Sequence, residues 1–381
     1  MPLNLQQFTI GVEEEYQIID PETRELQSHI STLLENAEAN LIEALKPEMH
    51  QSVIEVGTGI CKNIQEARAD VARLRSAVSS AARKGGMRIA AASSHPFSDW
   101  RHQAITDRER YHTIVEDLQD VARGNLVFGL HCHIGIPDRD LAIEIFNEAR
   151  YFLPHILLLS TSSPFWLGRV TGLKSVRCIV FKRFPRTGIP ETFRSWGEFE
   201  SYVDTLVKTQ CIDDGKRIWW DLRPHSFFNT IEFRICDLPT SLDDTVAIVA
   251  LIQAIVAKLY ILRSQNMGFR VYSSALLEEN KWRAYRYGLG GKLIDFGLKS
   301  EKPATELIEE LLAFVDDVLD ELGSRKEVEH IRTIMKRGTS ADKQLEIYRE
   351  TNDLKAVVDW VVAETVAGIE TPVATGSGTG E

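Results

Sequence analysis

Segment Phe8–Ile19 alternates between two kinds of side chain. Successive side chains of a β-strand point to opposite faces of the sheet, so this segment predicts a strand with one apolar face and one polar face. The polar face carries Glu13 and Glu15, whereas Glu14 is the one charged residue on the apolar face. A chain with such a strand has to build a sheet that is dry on one side and charged on the other.

Four further segments divide in the same way. Their polar faces carry Glu55 in His50–Val56, His131 and His133 in Leu126–Ile136, Asp221 and Arg223 in Ile218–Arg223, and Glu232 and Arg234 in Thr230–Asp237. For each strand alone, a solvated face is the simplest interpretation. Together they concentrate carboxylates, histidines and arginines without lysine, and neighbouring carboxylates repel each other unless a cation lies between them. Carboxylates with an occasional histidine suit magnesium or manganese better than zinc or copper.

The order of the predicted elements indicates an α+β fold. Strands are predicted at Phe8–Ile19, His50–Val56, Ile89–Ala92, Leu126–Ile136, Ile218–Leu222 and Thr230–Cys236. Helices are predicted at Ile64–Arg83, Arg139–Leu153, Trp196–Thr209, Leu242–Ser264, Ala304–Leu322 and Ser340–Arg349. The strands do not form a regular βαβ series, which favours an antiparallel sheet. We predict one catalytic domain over residues 1–367, and a disordered tail over 368–381 because that segment is rich in Gly, Thr and Ser.

Charge and cysteine usage exclude several classes of function. The formal net charge of −11 argues against nucleic acid or an anionic membrane as a partner. Five scattered cysteines without CxxC spacing favour a reducing compartment, and no signal-peptide pattern is seen at the N-terminus, so we expect a cytoplasmic protein. The long apolar segment Thr245–Leu262 contains Gln253 and Lys258, and it therefore predicts a buried core helix rather than a membrane span.

Common nucleotide and metal motifs are missing from the sequence. There is no P-loop, since Gly288–Lys292 lacks the required spacing, and there is no HExxH motif. His131 and His133 form the one tight histidine pair, and they leave a hydrolytic zinc site open as an interpretation.

Seven motifs occur in a fixed order along the chain. They are Gly11-Val-Glu-Glu-Glu-Tyr-Gln, Val53-Ile-Glu-Val, Ser94-His-Pro-Phe, Gly129-Leu-His-Cys-His, Ser163-Pro-Phe-Trp-x-Gly, Thr230-Ile-Glu-Phe-Arg and Trp282-Arg-Ala-x-Arg-Tyr-Gly. As an ordered set they resemble the glutamate–cysteine ligase type 2 family, the carboxylate–amine ligase group. The resemblance extends from Phe8 to about Val361.

The resemblance implies a glutamine-synthetase-like fold, in which a curved antiparallel sheet forms an active-site funnel and helices pack outside. It implies ATP and magnesium (or manganese) as cofactors and small-molecule amino acids as substrates. The implied metal ligands are Glu13, Glu15, Glu55, His131 and Glu232. Arg234 corresponds to an arginine that stabilises the transferring phosphate, and Glu48 to an acid that contacts the attacking substrate. His133 falls where some relatives carry Asn, and Glu14 receives no role.

A basic cluster, Arg177, Lys182, Arg183 and Arg186, lies in a segment flanked by Gly and Pro. Arg177 and Arg183 are our candidates for binding the nucleotide phosphate or a substrate carboxylate. A solvated basic loop explains the cluster equally well. Trp282 and Arg283 are expected to open a loop near the site, with a packing role for Trp282.

The implied reaction activates a carboxylate with ATP and then joins it to an amine, as in the formation of γ-glutamylcysteine from glutamate and cysteine. Three alternatives remain open. A phosphagen-type kinase would accumulate a phosphorylated product, a non-catalytic protein would bind metal or nucleotide without turnover, and a metal-dependent hydrolase using His131 and His133 would act without ATP. The sequence does not set the oligomeric state, for which a homodimer is a guess.

Overall fold

A computed structural model describes residues 5–37 and 44–369 of the protein. Its main sheet contains seven strands. They are β1 (Ile10–Ile19), β2 (Leu45–Pro47), β3 (Val53–Gly57), β4 (Arg88–Ala90), β5 (Leu130–Gly135), β10 (Leu222–Pro224) and β11 (Thr230–Phe233). Every pairing in this sheet is antiparallel, in the order β10-β11-β5-β1-β3-β2, and β4 pairs with the end of β1. The predicted α+β antiparallel class is confirmed.

Three two-stranded ribbons lie outside this sheet. They are β6 (Phe165–Trp166) with β7 (Arg169–Val170), β8 (Thr187–Gly188) with β9 (Trp219–Trp220), and β12 (Lys292–Asp295) with β13 (Ser300–Pro303). The β8–β9 pair is parallel.

Fifteen α-helices are found in the described part of the chain. They are α1 (Ile30–Asn36), α2 (Ile64–Lys84), α3 (Glu109–Leu118), α4 (Asp120–Arg123), α5 (Arg139–Ala149), α6 (Leu153–Ser160), α7 (Arg177–Phe181), α8 (Trp196–Lys208), α9 (Leu242–Ser264), α10 (Ser274–Tyr287), α11 (Ala304–Val315), α12 (Leu319–Leu322), α13 (Arg325–Arg337), α14 (Ser340–Thr351) and α15 (Leu354–Thr365). Helices α2 and α9 pack on the apolar face of the sheet, against β1 and β5. The opposite face of the sheet carries the charged residues.

Helix α9 is the one helix in the described ranges with the length and composition of a membrane span, and 78% of its most apolar window is buried inside the protein. Gln253 is buried within it, and its Nε2 donates to the carbonyl of Phe8 at 2.8 Å. Lys258 pairs with Asp317 at 2.5 Å. Since both polar side chains have partners within the protein, α9 is a core helix, as the sequence predicts.

Three sequence predictions need correction in detail. The helix predicted over Ala304–Leu322 is divided into α11, a 3-10 turn at Asp316–Val318 and α12. Trp282 and Arg283 do not open a loop but lie within α10. The predicted tail was drawn from residue 368, yet Ile369 packs against the main core, and residues 370–381 lie outside the described residues.

Candidate active site

Strand β1 places Glu13 and Glu15 on the charged face, where residues from both neighbouring strands meet them. Glu15 is paired in register with Glu55 of β3, and Glu55 with Lys46 of β2. The Lys46 ammonium lies 3.0 Å from Glu13 Oε1 and 2.9 Å from Glu55 Oε1. Glu15 Oε2 accepts a hydrogen bond from the backbone N–H of Gly129 at 2.6 Å. The central strand therefore presents carboxylates that are held by partners on both sides.

The two histidines of β5 lie on the other side of β1. His131 is opposite Glu13 in the ladder, and its Nδ1 lies 3.4 Å from Glu13 Oε2, while its Nε2 lies 4.0 Å from Glu15 Oε1. His133 Nε2 lies 3.8 Å from Glu13 and 3.9 Å from Glu232. Both rings therefore face the carboxylates.

Two arginines surround the carboxylate of Glu232 on β11. Arg223 is its register partner on β10 and donates to Oε2 from Nε at 2.8 Å and from Nη2 at 2.5 Å. Arg234 Nη1 donates to Oε1. The buried Nε of Arg234 has no hydrogen-bond partner within residues 5–37 and 44–369, so this donor remains available to an anion.

These side chains line one cavity of about 540 Å³. Strands β2 and β3 form one edge of the sheet, and on that side the cavity is bounded by Glu48, Arg108, Arg110 and Tyr111. Strands β10 and β11 form the opposite edge. There the cavity is bounded by Arg223, His225, Phe227, Phe228 and Arg234.

The electrostatics of the cavity divide the carboxylates into two groups. Burial raises the pKa of Glu15 to about 7, that of Glu48 to about 7 and that of Glu55 to about 8, and in each case a neighbouring carboxylate adds to the rise. Burial also acts on Glu232, but Arg223 and Arg234 hold its pKa well below the usual value. The first group is therefore readily protonated near neutral pH in the metal-free protein, and a bound cation would favour its ionised form.

The donor set fits a divalent cation. Glu13, His133 and Glu232 each bring one ligand atom to within 4.8 Å of the other two. Burial acts to raise the pKa of Glu13, but the neighbouring His131 and His133 outweigh that effect and hold the pKa well below the usual value, so the carboxylate is ionised. Carboxylate oxygens with one imidazole nitrogen are ligands that magnesium and manganese accept.

The structure brings most of the residues selected from the sequence into this cavity. Glu13, Glu15, Glu48, Glu55, His131, Arg177, Glu232 and Arg234 all line it. His133, whose role the sequence left open, also lines the cavity, and its Nε2 lies 3.9 Å from Glu232.

Two members of the predicted basic cluster are placed differently. Arg177 is buried, and its guanidinium donates to the carbonyls of Arg234 at 3.0 Å and Ile235 at 3.3 Å, so it supports the end of β11. Arg183 donates to the carbonyl of Gly124 at 2.7 Å and is not part of the cavity lining. The structure therefore does not bring Arg183 to the charged face.

Sequence reasoning missed Lys46 and gave no site role to Arg223. Arg223 had a signal, because it alternates with Leu222 on the polar face of its strand. Lys46 had none, because β2 is only three residues long and its contact with Glu13 depends on the pairing of β3 with β1.

Known proteins resemble this chain over nearly its whole length. The sequence model described as glutamate-cysteine ligase family 2 (GCS2) matches residues 9–359. A protein of Solibacter usitatus named "Putative glutamate--cysteine ligase 2" is 56% identical over 375 residues, which are 98% of this chain and 97% of that protein. Proteins of the same name from Herpetosiphon aurantiacus and Sorangium cellulosum are 57% and 58% identical, over 97% and 95% of this chain and over 96% and 97% of their own lengths.

Two solved structures share the fold. A glutamate–cysteine ligase from Francisella tularensis, determined in complex with AMP, superposes with a TM-score of 0.71 at 12% identity over 96% of this chain and 90% of that chain. A bifunctional glutathione synthetase from Pasteurella multocida gives a TM-score of 0.71 at 15% identity. The match covers 96% of this chain but only 53% of the bifunctional enzyme, so the chain corresponds to about half of it.

Proposed function

This chain belongs to glutamate–cysteine ligase family 2, a family of ATP-dependent carboxylate–amine ligases, and we propose that it joins the γ-carboxylate of glutamate to the amino group of cysteine. The observation that carries the proposal is the single cavity in which a set of carboxylates lies beside Arg223 and Arg234. The cavity combines groups that hold cations with groups that hold phosphate. That combination suits phosphoryl transfer from ATP, which depends on positioning and charge neutralisation more than on a nucleophile of the protein.

The reaction has two steps. In the first, an oxygen of the substrate carboxylate attacks the γ-phosphorus of ATP, the bond to the β,γ-bridging oxygen breaks, and an acyl phosphate and ADP form. In the second, the amine nitrogen attacks the acyl carbon, phosphate leaves, and the amine loses a proton. The first step is needed because a carboxylate is a poor electrophile with no good leaving group.

Arg234 is the residue we assign to the transferring phosphoryl group. Its Nη1 donates to Glu232, which fixes the guanidinium, and its Nε has no acceptor in the described ranges. Arg223 is bound to Glu232 and to two backbone carbonyls, so it holds Glu232 in place. A fixed guanidinium aimed at a developing negative charge stabilises the transition state without reorganisation.

We propose that Glu13, His133 and Glu232 hold one divalent cation, and that Glu15, Glu55 and His131 complete the acidic shell around it. Such a cation would neutralise the charge of the triphosphate and polarise its oxygens. Lys46 bridges Glu13 and Glu55 and offsets part of the carboxylate repulsion. The protein's own residues thus hold the acids close together before a cation binds.

Glu48 is our candidate for contact with the incoming amine. It lies between β2 and β3, lines the cavity, and its Oε2 accepts from the N–H of Met49 at 3.2 Å. A carboxylate at that place can hold an ammonium group and accept its proton as the amide bond forms. We also propose that the enzyme works in the cytoplasm, because all five cysteines are free thiols and four of them are buried.

The test is ADP release measured with a panel of amino acids, singly and in pairs, with the products identified by mass spectrometry. The proposal predicts ADP release that requires both glutamate and cysteine, with one γ-glutamylcysteine formed per ADP. A phosphagen-type kinase would release ADP and accumulate a stable phosphorylated acceptor. Product formation without ATP would indicate a hydrolase, and nucleotide binding without turnover under any pair would indicate a non-catalytic protein. Any of these three results would overturn the proposal.

A further inference from the structure

The turn between β10 and β11 carries two phenylalanines that the proposed chemistry does not use. Phe227 is 56% exposed and Phe228 is 62% exposed, although both rings line the cavity. Large aromatic rings exposed at a cavity mouth lose the free energy of burial unless a ligand covers them. The question is therefore which ligand these rings fit.

His225 holds the backbone of this turn from inside. The Nδ1 of His225 accepts from the backbone N–H of Phe227 at 3.2 Å and of Phe228 at 3.0 Å. The imidazole also stacks on the Phe228 ring, with centroids 4.5 Å apart and planes 19° apart. Lys216 Nζ lies 4.7 Å from the centroid of the Phe227 ring. Each ring thus has a polar neighbour that fixes it and still keeps more than half of its surface open.

A second contact fixes the turn to its surroundings. Ser226 approaches the backbone at Gly215 so closely that a Cβ built there would lie 2.1 Å from the Ser226 Oγ. A side chain at that position would have to displace the Ser226 hydroxyl, so glycine allows the turn to lie against the segment that carries Lys216. The rings are therefore held in place before any ligand arrives.

Arg223 connects this turn to the proposed phosphate site. Its guanidinium binds the Glu232 carboxylate and also donates to the carbonyl of Lys216 at 3.1 Å. Phe228 precedes Glu232 by four residues, so their Cα atoms are at most about 14 Å apart. The turn is therefore within reach of a nucleotide whose terminal phosphate lies at Arg234, since both line the same cavity.

Other aromatic residues of the cavity are already engaged with one another. Phe184 stacks with Phe181, with centroids 6.0 Å apart and planes 20° apart, and meets Trp219 edge-on at 5.2 Å. Arg186 lies over the Trp219 ring at 5.4 Å. These rings offer less free surface than Phe227 and Phe228.

We propose that Phe227 and Phe228 form the stacking platform for the purine base of the nucleotide substrate. This inference rests on the proposed use of ATP and adds the place where the base binds. Purine bases stack on aromatic side chains through their π-faces, and Lys216 and His225 set the position of the two rings.

The experiment measures ADP binding by calorimetry for the wild-type protein and for Phe227→Ala, Phe228→Ala and the double variant. Inorganic tripolyphosphate serves as a second ligand that has the phosphates but no base. We expect the double variant to bind ADP at least tenfold more weakly, while its affinity for tripolyphosphate stays within twofold. Phe228→Trp, which keeps an aromatic ring at this position, should retain the ADP binding that Phe228→Ala loses. Leu298→Ala is the matched control, since Leu298 is 68% exposed and lies outside the cavity lining.

Turnover gives an independent readout. At saturating ATP the double variant should keep kcat within threefold of wild type, while its KM for ATP rises by at least tenfold. Two results would overturn the platform and leave the ligase proposal standing. One is unchanged ADP affinity in the double variant, and the other is an equal loss of ADP and tripolyphosphate binding. A wild-type protein that binds no ADP and releases none would instead overturn the ligase proposal, and the platform with it.

Discussion

Replacing Arg75 should destabilise the protein far more than replacing a typical arginine. Arg75 is completely buried, and its Nε and Nη2 donate to the two oxygens of Glu14, at 2.9 Å and 2.5 Å. The same guanidinium donates to the carbonyl of Thr240 at 2.8 Å and to Thr245 Oγ1 at 3.1 Å. In Arg75→Met the Glu14 carboxylate would remain buried without its counter-charge.

The expected loss follows from that buried charge. Removing one partner of a buried ion pair costs about 3–5 kcal/mol, whereas removing an exposed partner costs about 0–1 kcal/mol. The Tyr16 hydroxyl still donates to Glu14, and the thioether of methionine fills part of the space, so we expect about 3 kcal/mol for Arg75→Met by the same reasoning. A double variant that also carries Glu14→Leu should lose less than the sum of the two single variants, because no unpaired charge remains.

Urea unfolding followed by circular dichroism measures these losses. Arg332→Met is the matched control, because Arg332 pairs with Glu309 at 2.9 Å and both side chains are about half exposed. The control should lose no more than about 1 kcal/mol. Equal losses in Arg75→Met and Arg332→Met would refute the reasoning, and so would a double variant whose loss equals the sum of the singles.

Four further predictions concern the site and the end of the described chain. Arg234→Lys should lower kcat by about a hundredfold or more, roughly 2.7 kcal/mol, because lysine keeps the charge but lacks the planar fork. The measurement is steady-state kinetics together with ATP affinity by calorimetry, and turnover within a few-fold of wild type would contradict the prediction. Glu55→Gln should weaken the dependence of activity on magnesium, and full activity with unchanged magnesium dependence would remove Glu55 from the shell. Burial raises the pKa of Glu55 to about 8, so the stability of the metal-free protein should fall as pH rises from about 4.5 to about 8. Glu55→Gln should therefore be more stable than wild type at pH 9 in EDTA and no more stable at pH 4. Urea midpoints that do not differ between the two proteins at pH 9 would contradict this. A chain that ends at Ile369 should keep its melting temperature, whereas one that ends at Ala367 should melt lower, because Ile369 packs on the core; equal melting temperatures would show that this packing contributes nothing.

The charged face of the sheet was predictable because alternation is a local property. Glu13, Glu15, His131 and Glu232 each occur in a strand long enough to show the two-residue period, and the structure places all four on one face. Their mutual proximity could not be read from alternation alone, because it depends on which strands are neighbours. The ordered motifs supplied that information through the resemblance to a family.

Residues held by long-range pairing were not predictable. Lys46 lies on a strand of three residues, too short to show a period, and its ion pairs reach across β3 to β1. The division of the helix after Ala304 was also not predictable: apolar residues keep a helical spacing through Val318 and beyond, although the backbone forms a 3-10 turn at Asp316–Val318. Periodicity records which face is buried and does not distinguish an α-helical turn from a 3-10 turn.

Glu14, the one exception to the alternation of β1, explains how the register of that strand is fixed. A slip of one residue would turn Glu13 and Glu15 into the core and Glu14 into the cavity. In the native register Arg75 neutralises the single carboxylate on the core side, whereas after a slip two carboxylates would share that one buried arginine, at a cost of several kcal/mol for the unpaired one. The buried pair therefore favours the register that keeps Glu13 and Glu15 in the cavity. Arg75 on α2, which is not part of the cavity lining, thus helps to set the positions of the residues proposed to hold the cation.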